Sequence, residues 1–311
     1  MNRREFVALS AAVPFGLRAT LTAPMPRALV TCDAEARVAI VDLGSFRVLK
    51  KIATLPDPRS VELVGSHVVL CHTAVGAVSI LDPQGRISHV LRDFIEPRYT
   101  AGHPDGVHAF VSDSGKSALV AIDVLRGEVV GRVRLREWAR HVSIDARGRT
   151  VWVGLSSASP DLAVVDVSNP ARLRHTATVT PPFPAHDVGF LPGGAHVWVT
   201  SGARKQTGIF DRDGKLRIEL PADLAPQHVT FGDGVAYVTS GDSGTLHVQR
   251  LSDGHVLRGT PIETGSYNVQ FGFGRVLTPS LTRGTLTVLN ARGALLATVD
   301  VSESCHDACF L

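Results

Sequence analysis

The residues best suited to metal or redox chemistry stand at the end of the chain, where Cys305, His306 and Cys309 lie close together. Imidazoles and thiolates are common zinc ligands, and two cysteines can instead form a disulfide. Cys305 and Cys309 are four positions apart, which corresponds to about 13 Å along a strand. Since that separation is too large for one ion, we expect Cys309 to be a small buried core residue. The role of this cluster therefore depends on the elements around it.

The chain contains seven versions of one pattern, in which an apolar strand and a polar turn precede a second strand that ends in an acidic or polar residue. Clear versions are "HVVLCHTAVGAVSILD", "HAFVSDSGKSALVAID" and "HVWVTSGARKQTGIFD". The repeats are 27–64, 65–104, 105–146, 147–192, 193–232, 233–272 and 273–311. Each continues with a turn and a third strand, as in "RDGKLRIEL", and then with a fourth short segment. This predicts an all-β fold over 27–311, a seven-bladed β-propeller with four-stranded blades.

The fourth segments also align with one another. They read "PRSVEL", "PRYTAG", "ARHVSI", "AHDVGF", "PQHVTF", "SYNVQF" and "CHDACF". In a propeller the innermost strand of a blade follows the outermost strand of the preceding blade, so each segment should begin the next blade. The first repeat lacks such a strand, and "CHDACFL" is the segment left to supply it. We therefore predict that the C-terminal strand completes the N-terminal blade and closes the ring, which removes open sheet edges.

This frame places Cys305 at the start of the closing strand, beside the end of the neighbouring strand, where Cys32 lies. A Cys32–Cys305 disulfide would close a very long loop and stabilise the fold by at most about 5 kcal/mol. Cys71 occupies the equivalent position one blade further round the ring, so it is a rival partner for Cys305.

The frame also stacks the first residues of the inner strands around one mouth of the central channel. Two positions before the aligned Val or Ala, the seven segments have Arg59, Arg98, Arg140, His186, Gln227, Tyr267 and His306. The next position has Ser60, Tyr99, His141, Asp187, His228, Asn268 and Asp307. Because side chains alternate along a strand, we expect one set to face the channel and the other to face a neighbouring blade.

Three arginines and up to four histidines therefore converge on one face. Guanidinium groups bind carboxylate or phosphate oxygens, and neutral imidazoles bind metals or transfer protons. We predict a site for an anionic small molecule or for a protein partner at Arg59, Arg98, Arg140, His141, His186, His228, Tyr267 and His306. The candidate metal ligands are His141, His186, His228 and His306. The alternative is that these residues cap a water-filled channel and hydrogen-bond to loops and to each other.

The strings "VSDSGKSALVAID" and "VTSGDSGTLHV" resemble the YVTN-repeat family of β-propellers, a largely secreted bacterial group, and the likeness covers residues 27 to 311. The resemblance implies the fold more than a function, because this family includes binding proteins, surface proteins and relatives of the propeller domain of haem-containing nitrite reductases. Similar propellers bind modified haems through histidines, and streptogramin lyases use propeller histidines with a divalent ion. An enzyme, a cofactor carrier and a rigid disc for protein contacts therefore remain alternatives, and the cofactor is unknown.

Residues 1–23 resemble a twin-arginine export signal. Arg3 and Arg4 precede a mildly apolar run from Val7 to Leu17, and small residues follow as far as residue 23. Without this segment the net charge falls from +3 to near +1, so general nucleic-acid binding is not expected. No other stretch approaches the roughly 18 apolar residues that span a membrane. We expect a periplasmic or secreted monomer without a membrane span.

Recognisable catalytic motifs are missing from the sequence. It has no zincin helix, nucleophile elbow, haem-attachment motif or closely spaced cysteine pair. The string "SGKS" at 114–117 lacks the first glycine of a phosphate loop and falls on a hairpin turn. The sequence therefore favours an extracytoplasmic binding protein over an enzyme.

Overall fold

The computed structural model describes residues 26–156 and 159–311, and the predicted export signal over 1–23 lies outside the described residues. Almost all of the regular structure is β-strand. In chain order the strands are β1 (Arg27–Cys32), β2 (Arg37–Asp42), β3 (Arg47–Ala53), β4 (Pro58–Val64), β5 (His67–His72), β6 (Ala77–Leu81), β7 (Ile87–Leu91), β8 (Pro97–Gly102), β9 (His108–Asp113), β10 (Ala118–Asp123), β11 (Glu128–Arg134), β12 (Ala139–Ile144), β13 (Thr150–Leu155), β14 (Leu162–Asp166), β15 (Arg174–Val179), β16 (Val188–Phe190), β17 (His196–Ser201), β18 (Gln206–Asp211), β19 (Leu216–Pro221), β20 (Val229–Gly232), β21 (Val235–Ser240), β22 (Thr245–Arg250), β23 (Val256–Pro261), β24 (Gln270–Gly272), β25 (Arg275–Pro279), β26 (Thr285–Asn290), β27 (Leu295–Asp300) and β28 (Ala308–Phe310). Short 3-10 turns occupy Asp33–Glu35, Thr73–Val75 and Gly241–Ser243.

The strands form seven four-stranded antiparallel sheets, which are the blades of a ring. From the channel outward, blade 1 is β28-β1-β2-β3, blade 2 is β4-β5-β6-β7, blade 3 is β8-β9-β10-β11, blade 4 is β12-β13-β14-β15, blade 5 is β16-β17-β18-β19, blade 6 is β20-β21-β22-β23 and blade 7 is β24-β25-β26-β27. The seven-bladed β-propeller predicted from the repeats is therefore confirmed. Within the described ranges, no helix has the length and apolar character needed to cross a membrane.

The C-terminal strand closes the ring. Strand β28 pairs antiparallel with β1, with Leu29 opposite Cys309 and Val30 opposite Ala308. Beyond the paired residues, the Thr31 N–H donates to the Asp307 carbonyl at 2.9 Å. The N-terminal blade therefore takes its inner strand from the other end of the chain, as the repeat frame predicts.

The two middle strands of each blade are buried on both faces. In blade 3, β9 has five buried residues in a row and all six residues of β10 are buried, because each face packs against an adjacent blade. This explains why these strands read as continuous apolar runs. The outer strands β7 and β11 contain exposed and partly buried residues and no fully buried ones.

The inner strands begin irregularly. The pairing register of β4, β8 and β12 shifts at their first residues, which is the signature of β-bulges. In blades 5 and 6 the first two aligned residues precede the regular strand, which begins at Val188 or Val229. Strand alternation therefore does not govern these positions. The expected division into one channel-facing set and one blade-facing set does not hold, and both sets contribute side chains to the mouth.

All four cysteines are buried free thiols. Cys32 and Cys305 lie in the same core cluster between blades 7 and 1, and their thiols hydrogen-bond to each other. The rival Cys71 packs in a different cluster, between blades 2 and 3. Cys309 is a buried core residue, as expected. The hydrogen bond from Cys305 lowers the pKa of Cys32.

We expect Cys32 and Cys305 to form a disulfide under oxidising conditions, since the thiols are in contact and a lowered pKa makes Cys32 the readier thiolate. Non-reducing peptide mapping of protein isolated under oxidising conditions should recover the two peptides joined, and reduction should lower the unfolding midpoint. A Cys71→Ala variant should keep the bridge. Recovery of Cys32 and Cys305 as alkylated free thiols would contradict this prediction.

Candidate functional site

Three arginines form the outer layer of the channel mouth. Arg59, Arg98 and Arg140 come from β4, β8 and β12, the inner strands of three consecutive blades. Burial lowers the pKa of Arg98, and the positive charges of Arg140 and Arg59 add to this effect. The three guanidinium groups therefore lie close enough to repel one another.

The arginines have weak acidic partners. Arg59 lies 3.6 Å from Asp57, and Arg98 lies 3.7 Å from Glu96, distances beyond those of strong charge-assisted hydrogen bonds. Among the described residues, no carboxylate lies within 4.0 Å of Arg140. The Nε atoms of all three side chains are buried and have no hydrogen-bond partner. This layer therefore has donors to spare for an anion.

A tryptophan orders two of these arginines. The Trp138 ring lies 4.9 Å from the Arg98 guanidinium and 5.7 Å from that of Arg140, within cation–π range. Its indole N–H donates to Glu96 Oε2 at 2.9 Å. Trp138 and Glu96 therefore hold Arg98 and Arg140 over the channel before any ligand arrives.

Three histidines form a compact cluster at the same mouth. The ring centroids of His141 and His228 are 4.7 Å apart, and His186 lies 4.9 Å from His141 and 5.4 Å from His228. One nitrogen from each ring lies within 4.8 Å of the others. His228 also contacts Asp187, with 3.4 Å between Nδ1 and Oδ2. The structure thus brings together three of the four predicted metal ligands.

Tyr99 completes this cluster and was missing from the predicted site residues. Its ring centroid lies 4.1 Å from that of His141 and 5.9 Å from that of His228, and its hydroxyl hydrogen-bonds to Arg140. Burial raises the pKa of Tyr99 to about 12. Tyr99 occupies the same aligned position as His141 in the neighbouring segment, which could have indicated its place in the site. The irregular starts of these strands prevent the sequence from showing which side chains face the channel.

Two predicted site residues have other roles. The His306 Nδ1–H donates to the Arg59 carbonyl at 2.7 Å, so this imidazole ties two blades together and is absent from the histidine cluster. Tyr267 donates to Asp242 Oδ1 at 2.8 Å, which holds it on the rim of the mouth. Tyr267 lies outside the compact group, whereas the His306 ring borders it, with its centroid 6.5 Å from that of Tyr99.

Burial keeps most of these imidazoles neutral. The pKa of His141 is well below its usual value because of burial and the nearby His228 and His186. Burial lowers the pKa of His186 to about 3, and it does the same to His306, with repulsion from Arg59 as a further cause. The buried Nε2 of His141 has no hydrogen-bond partner. Neutral, underused imidazoles are suited to binding a metal ion.

No protein-family model matches this chain, and no curated protein sequence matches it. Several solved structures are similar in fold. A functionally unknown protein from Desulfotomaculum acetoxidans DSM 771 has a TM-score of 0.80 and 12% identity, with 91% of this chain and 98% of that one covered. Kuenenia stuttgartiensis hydrazine synthase has a TM-score of 0.75 and 17% identity, covering 90% and 99%. Dihydro-heme d1 dehydrogenase NirN has a TM-score of 0.66 and 15% identity, covering 93% and 66%. These identities show the propeller fold alone, and the YVTN-repeat assignment stays a resemblance in sequence.

Acid should destabilise the protein through its buried neutral histidines. The pKa of His186 is about 3 in the folded protein and about 6.5 in an unfolded chain. Between these values the unfolded chain binds more protons, so stability is lost as the pH falls below about 6.5, by up to about 1.4 kcal/mol per pH unit for each such group. The carboxyls of Glu62 and Asp307 have raised pKa values and act in the opposite direction, so the histidine effect must be isolated by substitution.

Urea unfolding between about pH 7 and about pH 5 tests this effect. His186→Gln should make the fall in stability shallower than in the wild type. The matched variant is His255→Gln, which changes an exposed histidine and should keep the wild-type slope. Equal slopes for all three proteins would contradict the prediction.

Proposed function

We propose that this protein is an extracytoplasmic binding protein whose channel mouth holds an anionic small molecule on Arg59, Arg98 and Arg140. The observation behind this proposal is the set of three neighbouring guanidinium groups whose buried Nε atoms have no hydrogen-bond partner, although Arg59 Nε lies 3.6 Å from Asp57. Buried donors without partners are costly, and neighbouring like charges add to that cost. A carboxylate or phosphate would relieve both costs at once through fork-like hydrogen bonds. The twin-arginine-like segment at residues 1–23 supports location outside the cytoplasm.

The anion site can be tested with inorganic phosphate and citrate as probes. Both should bind more weakly as salt concentration rises, and the fluorescence of Trp138 should change because its ring lies on Arg98 and Arg140. A variant with Arg59, Arg98 and Arg140 all replaced by Ala should lose binding. Arg47→Ala, which alters an exposed arginine on β3, should bind as the wild type does. Wild-type binding by the triple variant would move the site elsewhere.

The histidine cluster favours a second candidate function, the binding of a divalent transition metal by His141, His186 and His228. Zinc–nitrogen bonds are about 2.0–2.1 Å long, which places tetrahedral nitrogen ligands about 3.3 Å apart. The three nitrogens lie within 4.8 Å of one another, so small ring rotations would suffice. Three protein ligands would leave a coordination position for water or for an anion that the arginines also bind. The metal would then act as a Lewis acid or as a structural anchor for that anion.

Cobalt(II) titration tests the metal site, because tetrahedral cobalt has strong visible absorption bands. The wild type should develop these bands at a stoichiometry of one ion per chain, and a chelator should remove them. His186→Ala should weaken cobalt binding, whereas His306→Ala should not, since His306 lies outside the cluster. Equal cobalt affinity in the wild type and His186→Ala would contradict this assignment.

A further inference from the structure

A cavity of about 240 Å³ lies in the central channel, on the inner side of the histidine cluster. Its walls come from the inner strands of the blades and begin at the second aligned position, so none of the three mouth arginines lines it. The walls contain carboxyl groups at Glu62, Asp187 and Asp307 but no arginine or lysine among the described residues. The channel therefore changes from a basic mouth to an acidic interior.

Two of the three carboxyl groups are already engaged by the fold. Asp187 accepts from the Val229 N–H at 3.0 Å. Asp307 accepts from the N–H groups of Val61 and Ala308, at 3.1 and 2.9 Å. These bonds use the carboxylates to hold neighbouring inner strands, so the two residues have structural reasons to be acidic.

Glu62 is partly exposed to the channel, and the backbone N–H of Gly102 donates to its carboxyl. A carboxylate can accept about four hydrogen bonds, and no side chain among the described residues donates to this one, so it can accept further bonds from a ligand. Gly102 makes this placement possible, since a Cβ there would lie 3.2 Å from Glu62 Oε1. Burial and the charge of Asp307 raise the pKa of Glu62 to about 8. Such a group is costly to ionise unless a cation joins it.

A second observation also indicates a ligand in this cavity. His141 lines it, is 2% exposed, and has a buried Nε2 without a hydrogen-bond partner. Phe190 and Phe231 line the same cavity together with Ile144. The cavity wall is mainly polar, with two aromatic rings that an alkyl group can contact.

We propose that the channel cavity is a binding site for a small organic ammonium ion, with the charged nitrogen at Glu62 and the alkyl part against Phe190 and Phe231. Ammonium N–H groups supply the donors that the carboxylate and a neutral His141 can accept. Aromatic faces attract such cations. A calcium or magnesium ion fits less well, because it prefers six or more oxygen ligands and only one free carboxyl is present. The site is separate from the anion site at the mouth.

This site gives binding a defined pH dependence. An empty site holds Glu62 protonated at neutral pH, and a cation favours the ionised carboxylate, so binding releases a proton. Affinity should therefore rise roughly tenfold per pH unit below about 8 and level off above it. The neighbouring groups that face Glu62 are Asp307, the Gly102 N–H and the Cys309 thiol, and His141, His228, Asp187 and Tyr99 share the cavity wall.

Calorimetric titration of the chelator-treated protein with methylammonium and tetramethylammonium chlorides tests the proposal. Methylammonium should bind saturably and better than tetramethylammonium, which lacks N–H donors, and buffers of different ionisation enthalpy should reveal the released proton. Glu62→Gln should weaken methylammonium binding by roughly tenfold or more, the effect of losing a charge-assisted hydrogen bond. Glu128→Gln, which alters an exposed glutamate at the start of the outer strand β11, is the matched control and should bind as the wild type does.

The remaining outcomes are also decisive. Absence of saturable ammonium binding, equal affinity in Glu62→Gln, or Glu62-dependent binding of calcium or magnesium instead would each overturn the proposal. Because Glu62→Gln removes a carboxyl whose pKa is raised in the fold, the unfolding midpoint of this variant at pH about 8 should equal or exceed that of the wild type, which distinguishes a lost site from a lost fold. The triple arginine variant should keep ammonium binding, so failure of the anion site leaves this test intact.

Discussion

The centre of this propeller depends on one requirement: the backbone groups on the channel-facing edge of each inner strand need hydrogen-bond partners. An inner strand pairs with one neighbour, so backbone groups on its other edge need different partners. Side chains of adjacent blades supply them: Asp187 accepts from Val229, Asp307 accepts from Val61, and Asn268 donates to the His306 carbonyl. The second aligned position is therefore polar partly for a structural reason. Asp187, Asp307 and Asn268 hydrogen-bond to neighbouring inner strands, as the alternative of a polar cap predicts.

Once Asp187, Asp307 and Asn268 are assigned structural roles, a smaller group of polar residues at the mouth is left without such a role. Arg59, Arg98 and Arg140 have buried Nε atoms without partners, and His141 has a buried Nε2 without one. Long ion pairs and the Trp138 ring offset the burial of the arginines in part, whereas Asp187 and Asp307 accept backbone hydrogen bonds of normal length. Buried polar groups left unsatisfied are uncommon, and four of those in the described structure lie on these mouth residues, which supports the proposed binding site.

The sequence predicted the fold well and the site in part, for one physical reason. Burial of both faces makes the middle strands apolar throughout, so seven repeats were visible and the strand at "CHDACFL" could be assigned by elimination. The first residues of the inner strands follow no regular period, because bulges in β4, β8 and β12 break the register there. The sequence therefore did not show that Tyr99 lies beside His141, nor that Tyr267 and His306 make rim and inter-blade hydrogen bonds. Distances across the ring do not follow from local sequence patterns.

The segment at the chain end both closes the ring and contacts the channel mouth. Within five residues, Cys305 and Cys309 enter separate core clusters, Asp307 bonds to blade 2 through Val61, and His306 donates to the carbonyl of Arg59. The backbone of an anion-site arginine is thus held by the strand that completes blade 1. Because its Nδ1–H is used in this bond, His306 can offer only Nε2 to any ligand. Its bond to the neighbouring blade holds the backbone of Arg59.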